Sequence, residues 1–173
     1  IVNSQTKLHE KSGGVIPEIA ARSHSMVIDK LIDQALLKAK VKLSQVDAIA
    51  ATAGPGLLGG LIVGVVAAKT LASVLKKPFI AINHLEGHAL SAKLEHQIEY
   101  PYLLLLVSGG HTEFTIIKGF NNYSRIGTTL DDALGEAFDK SARVLGLKYP
   151  GGPEIEKYAL QGDEDKYIFP KPI

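Results

Sequence analysis

The stretch Val46-Asp47-Ala48-Ile49-Ala50-Ala51-Thr52, followed by Ala53-Gly54-Pro55-Gly56 and an apolar run from Leu57 to Leu75, decides the fold class. The first segment is short and apolar and ends in a glycine loop, so it predicts a buried strand, and the run after the loop predicts a long helix. The same alternation continues on both sides, with a helix predicted over Pro17–Lys40 and a second strand over Pro78–Ile82. Strands that alternate with helices predict an α/β fold, with a parallel sheet covered on both faces.

Two histidines lie four residues apart in Asn83-His84-Leu85-Glu86-Gly87-His88, where a helix is predicted from His84 to about Glu95. A four-residue spacing places both imidazoles on one helix face, and that geometry suits one divalent metal ion. A catalytic metal usually takes three protein ligands, so at least one more must come from elsewhere. His111, His24 and the carboxylates are candidates within the chain.

The glutamate between the histidines is expected to face away from such a metal. Glu86 lies roughly 200° around the helix from each of them. With Asn83 as the N-cap, Glu86 occupies the N3 position and predicts a capping box that starts the helix. In zinc proteases the glutamate directly follows the first histidine, so a protease mechanism is disfavoured here.

The pattern changes after Pro101. Three strands, Tyr102–Val107, Thr112–Lys118 and Tyr123–Thr128, are predicted to form an antiparallel meander in a second sheet. The glycine turn between the first two, Ser108-Gly109-Gly110, either cradles a phosphate with its backbone N–H groups or serves only as a hairpin turn. Further along, the sequence predicts a helix over Asp131–Leu147 with two aspartates at its start and Gly146 near its end, and a short helix from the Tyr149–Pro153 turn to about Leu160.

Composition sets bounds on the protein class. The 173 residues are 46% hydrophobic and 21% charged, which is typical of globular chains. A net charge of +1 indicates no strong basic field, so a nucleic-acid contact must come from a local patch or a partner. The absence of cysteine fits a reducing compartment. Since glycines and Lys69 interrupt Leu57–Leu75, we expect a soluble, cytoplasmic protein without a membrane partner.

Several segments together resemble the TsaD family, also called Gcp or YgjD. They match the family in order and spacing: Thr52–Leu57, His84–His88, Leu106–Thr112, Asp131–Ala133 with Gly135–Lys140, and Tyr149–Pro153. The resemblance implies the actin-like ATPase fold, with two α/β subdomains of ribonuclease H type and a nucleotide and a metal between them. It also implies a tRNA-processing acyltransferase that moves a threonylcarbamoyl group from threonylcarbamoyl-AMP to the N6 amine of the adenosine following the anticodon.

The resemblance also implies roles for individual residues. His84 and His88 become ligands of one divalent metal, iron or zinc. The donor substrate, threonylcarbamoyl-AMP or another adenine nucleotide, is implied to contact a set of seven residues: Leu106, Val107, Ser108, Gly109, Gly110, Asp139 and Gly152. A carboxylate such as Asp139 accepts hydrogen bonds from ribose hydroxyls, although it equally suits an ion pair. The sequence identifies no catalytic residue with certainty and no general base.

The chain also departs from the family pattern. Ile1–Gln5 matches a position after the family's opening hairpin, and Phe169–Ile173 matches a position about halfway through a typical member. We therefore expect a chain truncated at both ends, with most of a first subdomain over 1–98 and the first half of a second over 99–173. The third metal ligand is then expected to be missing, and the chain alone to be weak or inactive as a catalyst and prone to self-association.

Three function classes stay open at this point. The first is the threonylcarbamoyl transferase component, working on tRNA with a TsaB-like paralogue and a TsaE-like ATPase. The second is a metal-dependent glycoprotein endopeptidase, a label long attached to the family. The third is a non-catalytic fragment that binds a partner through the helices predicted near Pro17–Lys40 and Leu57–Leu75.

Overall fold

The computed structural model describes residues 1–170, in which helices and strands alternate before a meander. Short 3-10 turns follow α1 and α2, at Glu10–Ser12 and Leu43–Gln45. The helices are α1 (Thr6–His9), α2 (Pro17–Ala39), α3 (Leu58–Leu75), α4 (His84–Glu95), α5 (Leu134–Val144) and α6 (Gly151–Ala159). The strands are β1 (Ile49–Gly54), β2 (Phe79–Asn83), β3 (Tyr102–Val107), β4 (Thr112–Gly119) and β5 (Asn122–Thr128).

The first sheet pairs β1 and β2 in parallel, as the alternation predicted. β1 begins three residues later than the apolar pattern suggested, because the ladder starts where the Ile49 N–H reaches the Pro78 carbonyl at 2.9 Å. The prediction that helices cover both faces is wrong for the described residues. α3 packs on the two strands, whereas Ile80 and Ile82 on β2 remain 46% and 36% exposed.

α2 and α3 pack against each other and form the layer beside β1. They approach closely at Gly59, where a β-carbon would lie 3.2 Å from that of Ala21, so a larger residue would force the helices apart. Ala68 and Ala72 of α3 are buried in this layer. In the part of the chain that the structure describes, α3 is the one helix long and apolar enough, by length and composition alone, to cross a membrane.

The second sheet is the predicted antiparallel meander, with the order β3-β4-β5. Its strands alternate buried and exposed positions, so Leu106 and Ile117 lie in the core while Leu103 and Leu105 face outward. The buried face lies against α4, which leads from the first sheet into the second. The division of the chain at residue 98 stays a prediction.

The predicted helix over Asp131–Leu147 is shorter than expected, since α5 covers Leu134–Val144. Its two aspartates belong instead to the preceding turn, where the Thr129 hydroxyl lies 3.1 Å from a carboxylate oxygen of Asp131 and 2.7 Å from the Asp132 carbonyl. The helix then starts where the Leu134 N–H donates to Thr112 Oγ1 at 2.8 Å. Helix propensity before this point is overridden by side-chain hydrogen bonds to the backbone.

Candidate functional site

α4 carries the two histidines, and its start is fixed by Asn83 as the sequence predicted. The Asn83 side-chain oxygen accepts the N–H groups of Leu85 at 2.9 Å and Glu86 at 3.2 Å, which satisfies two donors of the first helical turn. The reciprocal half of the predicted capping box does not form. The Glu86 carboxylate accepts a hydrogen bond from the Tyr123 hydroxyl of β5 instead.

The imidazoles of His84 and His88 face each other on one side of α4. Their ring centroids lie 4.6 Å apart with the planes 72° from parallel. Burial lowers the pKa of His84, and the neighbouring His88 and His111 lower it further. A neutral imidazole keeps the nitrogen lone pair that a metal requires, so the pair fits two ligands of one divalent ion.

The candidates for a third metal ligand lie at different places in the structure. His111 lies near enough to His84 to lower its pKa. His24 lies on α2, where its ring nitrogen Nδ1 is 3.1 Å from Gln5 Nε2 and its ring contacts the α3 region near Gly60. Within residues 1–170 no group of three or more His, Cys, Asp or Glu side chains is placed to hold a metal ion. Since a catalytic metal usually takes three protein ligands, the two histidines alone do not complete a metal site among the described residues.

The turn after β3 is closed by its own serine. The Ser108 hydroxyl oxygen accepts the N–H groups of Gly110 at 3.3 Å and His111 at 3.0 Å, and the Ser108 N–H donates to the His111 carbonyl at 2.8 Å. Two N–H groups that were predicted to cradle a phosphate are thus occupied within the turn. An anion that binds there must displace the Ser108 hydroxyl, which is a small rotation for an unbranched side chain.

Sequence reasoning missed Gly135, which holds the turn against α5. Its N–H donates to the Ser108 carbonyl at 3.2 Å. A β-carbon on Gly135 would lie 2.8 Å from both Gly109 Cα and the Ser108 carbonyl oxygen, so only glycine allows this approach. The nearby Asp132 and Glu136 carboxylates both pair with Lys140, at 2.7 and 3.1 Å. The sequence contains Gly135 in the motif Gly135–Lys140, but the motif alone does not show which segment the glycine contacts. That segment lies more than twenty residues earlier in the chain.

Two tyrosine hydroxyls attach α4 to the second sheet, and neither was predicted. Tyr123 of β5 donates to Glu86, and Tyr102 of β3 donates to the Ala89 carbonyl at 2.6 Å. Position 86 lies on the face of α4 opposite the histidines, and position 89 lies about 60° from it around the helix. The hydrogen bonds therefore fix the rotation of α4 against the second sheet.

A small cavity of about 230 Å³ lies between α4 and the sheet. Glu113, only 7% exposed, points its carboxylate into this space, where Thr115 Oγ1 donates to it at 3.1 Å. The Arg125 guanidinium lies 3.7 Å from the same carboxylate. The buried acid is thus paired and hydrogen-bonded, as a charge in a protein interior must be.

The strand residues implied in donor binding point in opposite directions. Leu106 is 6% exposed and lines the cavity against α4, whereas Val107 is 45% exposed on the other face of β3. Alternation along a strand makes this unavoidable. If both contact a nucleotide, Leu106 can do so only through its backbone.

Asp139 and the glycines after Pro150 meet at the start of α6. One carboxylate oxygen of Asp139 accepts the Gly151 N–H at 2.7 Å, and the other has no hydrogen-bond partner among residues 1–170. A β-carbon on Gly151 would lie 2.6 Å from that of Ala142, so α5 and α6 touch there. Gly152 has open space around it. Asp139 therefore stabilises α6 and still offers one free acceptor.

Comparison with known proteins gives one consistent family. A profile described as "TsaD: tRNA N6-adenosine threonylcarbamoyltransferase" matches residues 1–173. Proteins named tRNA N6-adenosine threonylcarbamoyltransferase from Brucella ovis and Brucella abortus are each 60% identical over 173 residues, covering 100% of this chain and 48% of theirs. The chain thus spans about half the length of the curated relatives it matches.

Among solved structures, YeaZ from Pseudomonas aeruginosa is similar over 60% of this chain and 49% of its own, with 24% identity and a TM-score of 0.45. The match of the family profile to the whole chain decides the assignment. With its two α/β units and its histidine helix between them, this chain belongs to the TsaD family and has the actin-like, ribonuclease H-like fold of that family.

Proposed function

We propose that this chain is part of a tRNA N6-adenosine threonylcarbamoyltransferase. The reaction is transfer of threonylcarbamoyl from threonylcarbamoyl-AMP to the N6 amine of the adenosine following the anticodon. Family membership and the names of the 60% identical relatives support the proposal. The observation that carries it is the facing pair of imidazoles, with His111 of the glycine turn close enough to lower the pKa of His84.

The proposed chemistry is attack of an amine on an activated carbonyl. The amine nitrogen forms a bond to the carbamoyl carbon and loses a proton, and the carbon–oxygen bond to the phosphate breaks so that AMP leaves. The Ser108–Gly110 turn would bind the phosphate once the serine hydroxyl has rotated away. The free carboxylate oxygen of Asp139 would accept a ribose hydroxyl.

The family resemblance also suggests one bound divalent ion, iron or zinc. His84 and His88 would hold it as neutral imidazoles, with a further ligand from outside residues 1–170. When bound, such an ion supplies a Lewis acid. The residues of this chain contribute positioning, since α4 is fixed from its opposite face by Tyr102 and Tyr123.

The partners, the location and the organisation of the protein are also proposals. We propose that it acts in the cytoplasm, on tRNA, with a TsaB-like paralogue and a TsaE-like ATPase, and that residues 1–98 and 99–173 belong to different subdomains. Exposed apolar side chains on α2 and α3 (Leu37, Ile62, Val66 and Val74) support association with another protein or with a second copy. Because no third metal ligand lies among the described residues, we propose that the chain alone is a weak or inactive catalyst.

A transfer assay tests the proposal directly. The chain is incubated with synthetic threonylcarbamoyl-AMP and a tRNA, with and without the partner proteins, and the nucleosides are analysed by mass spectrometry. We expect threonylcarbamoyladenosine to form, faster when the partners are present. No product even with the partners present, beside an active preparation of a Brucella relative, would show that these residues alone do not catalyse the transfer.

Asp139 offers a matched pair of variants for the same assay. Asp139→Asn keeps an oxygen for the Gly151 N–H, so we expect normal stability with a raised KM for the donor. Asp139→Ala removes the acceptor as well and should lose about 1 kcal/mol of unfolding free energy. Equal KM values for wild type and Asp139→Asn would show that Asp139 serves only α6.

The endopeptidase alternative is not favoured. Glu86, the nearest analogue of a protease general base, is bonded to Tyr123 on the far side of α4 from the histidines. We expect no glycoprotein cleavage by the metal-loaded chain, measured by gel electrophoresis of a sialoglycoprotein substrate.

A further inference from the structure

The first turn of α5 is capped by the glycine turn after β3. The N-cap residue, Ala133, has no side chain that accepts a hydrogen bond, so the first N–H groups of α5 need acceptors elsewhere. The Leu134 N–H donates to Thr112 Oγ1 at 2.8 Å. The next N–H, of Gly135, donates to the Ser108 carbonyl at 3.2 Å. The two residues that flank the glycine turn therefore serve together as the cap of α5.

Thr112 is also held through its backbone. Its carbonyl accepts the Thr129 N–H at 2.9 Å, and the Thr129 hydroxyl donates to the Asp132 carbonyl at 2.7 Å. Lys140 of α5 in turn donates to both carboxylate oxygens of Asp132, at 2.7 and 2.8 Å. The hydroxyl of Thr112 is thus bonded to α5, and its carbonyl is bonded to the turn that leads into α5. The start of β4 moves relative to α5 only if these bonds break.

Asp139 lies on the same face of α5 as Gly135, because the two positions are four residues apart. Four residues of an α-helix rise about 6 Å along the axis. Gly135 touches the glycine turn, since a β-carbon added to it would lie 2.8 Å from Gly109 Cα. The carboxylate of Asp139, with its free oxygen, therefore lies one helical turn beyond that contact. The cap of α5 sets the distance between the glycine turn and this acceptor.

The cap keeps the glycine turn in place when the Ser108 hydroxyl rotates away. That rotation frees the N–H groups of Gly110 and His111 for an anion and removes the bonds that close the turn from inside. The bonds from α5 do not use the Ser108 hydroxyl, so they persist. The turn can then exchange the serine hydroxyl for a phosphate without a change of its backbone, which is the preorganisation that a binding site requires.

We propose that Thr112 is a positioning residue for the donor nucleotide. Its hydroxyl caps α5 and so holds the phosphate-binding turn at a fixed distance from Asp139. One nucleotide is then bound at its phosphate and at its ribose together, although Thr112 itself contacts neither. The inference rests on the proposed function, which places the donor phosphate at the turn and the donor ribose at Asp139.

The test compares the affinities of AMP and adenosine for the purified chain by isothermal titration calorimetry. Adenosine has the ribose hydroxyls but no phosphate, so the ratio of the two affinities measures what the phosphate-binding turn contributes. A variant that is merely less stable weakens both ligands and leaves this ratio unchanged. A variant that lets the turn move away from Asp139 lowers the ratio.

Four variants isolate the hydrogen bond between Thr112 and α5. Thr112→Val removes the hydroxyl and keeps a branched side chain, whereas Thr112→Ser keeps the hydroxyl. Leu134→Pro removes the donor of the same bond, at the first helical position, where proline is tolerated. Thr70→Val is the control, because it removes an exposed hydroxyl on α3. Thermal unfolding confirms that each variant is folded.

We expect wild type, Thr112→Ser and the Thr70→Val control to bind AMP about tenfold more tightly than adenosine, as a hydrogen bond to a charged group implies. In Thr112→Val and in Leu134→Pro this ratio should fall to about twofold, because the turn is no longer tied to α5. Amide hydrogen exchange, followed by NMR, should be faster at Leu134 in Thr112→Val than in wild type and unchanged in Thr112→Ser.

A Thr112→Val variant with the wild-type ratio would overturn the inference, and so would a lowered ratio that Thr112→Ser shares. Equal affinities of wild type for AMP and adenosine would also overturn it. If Thr112→Val does not fold, Leu134→Pro supplies the same comparison. The transfer assay separates this result from the proposed function: transfer by wild type with unchanged ratios in the variants rejects the role of Thr112 alone, whereas lowered ratios without transfer support that role and count against catalysis by these residues.

Discussion

Removing the Tyr123 hydroxyl should weaken the attachment of the histidine helix to the second sheet. In the folded chain this hydroxyl donates to the Glu86 carboxylate, and both side chains are half-buried. A hydrogen bond to a charged group contributes about 1.5–3 kcal/mol, and the partial exposure of Glu86 favours the lower end. We therefore expect Tyr123→Phe to lose about 1.5 kcal/mol, which for a chain of this size lowers Tm by about 3–6 °C.

Urea unfolding followed by circular dichroism measures this loss, and two further variants make it specific. Tyr158→Phe is the matched control, because Tyr158 is exposed and its hydroxyl has no hydrogen-bond partner among the described residues. Glu86→Gln and the double variant complete a cycle in which the two changes should not add. A Tyr123→Phe variant as stable as the Tyr158→Phe control, or additive effects in the cycle, would show that the contact does not hold α4.

The same contact predicts an alkaline pH dependence. Burial raises the pKa of Tyr123 to about 12, and the hydrogen bond to Glu86 adds to the rise, whereas an unfolded tyrosine titrates at about 10. Its contribution is therefore complete below pH 10 and is lost as the pH rises from 10 towards 12, because the unfolded chain ionises first. The stability gap between wild type and Tyr123→Phe should shrink over this range. A gap that stays constant to pH 12 would contradict the assignment.

Two other predictions concern the histidine pair and the glycine turn. His84→Ala/His88→Ala should remove bound zinc or iron from the purified chain, measured by plasma mass spectrometry, whereas the exposed His96→Ala should not; equal metal in both would exclude the pair as ligands. Gly135→Ala should lose about 1–3 kcal/mol in urea unfolding, because its β-carbon meets the Ser108–Gly110 turn at 2.8 Å. Gly87→Ala has open space in mid-helix and should gain about 0.5–1 kcal/mol, so a Gly135→Ala variant as stable as wild type would refute the close approach.

Most secondary structure followed from local pattern. The long helices, the histidine helix with its Asn83 cap and the meander all lie where periodicity and turn residues placed them. The predicted helix boundary was wrong where hydrogen bonds from side chains outside the helix fix the backbone. α5 starts at Leu134 because Thr129 and Thr112 hold the residues before it, and no local propensity reports a hydroxyl brought in from another strand.

In the candidate site, too, features set by local spacing were predicted and contacts between distant residues were not. Spacing alone placed His84 and His88 on one helix face and turned Glu86 away from them, and the structure has both features. The partner of Glu86 was not readable, because Tyr123 lies 37 residues away and its place opposite α4 depends on the register of the second sheet. The sequence also did not predict that the Ser108 hydroxyl accepts the N–H groups of the glycine turn. A Ser-Gly-Gly turn has the same sequence whether or not the serine side chain makes these hydrogen bonds.

By itself, the sequence determined the α/β class, the order of the elements, the pair of histidines and the family, because these depend on period, spacing and motif. Only the tertiary structure decided which groups meet across the chain: the tyrosines on α4 and Gly135 on the turn. Such contacts join segments that are distant in sequence, and packing and sheet register, rather than local conformational preference, set their geometry.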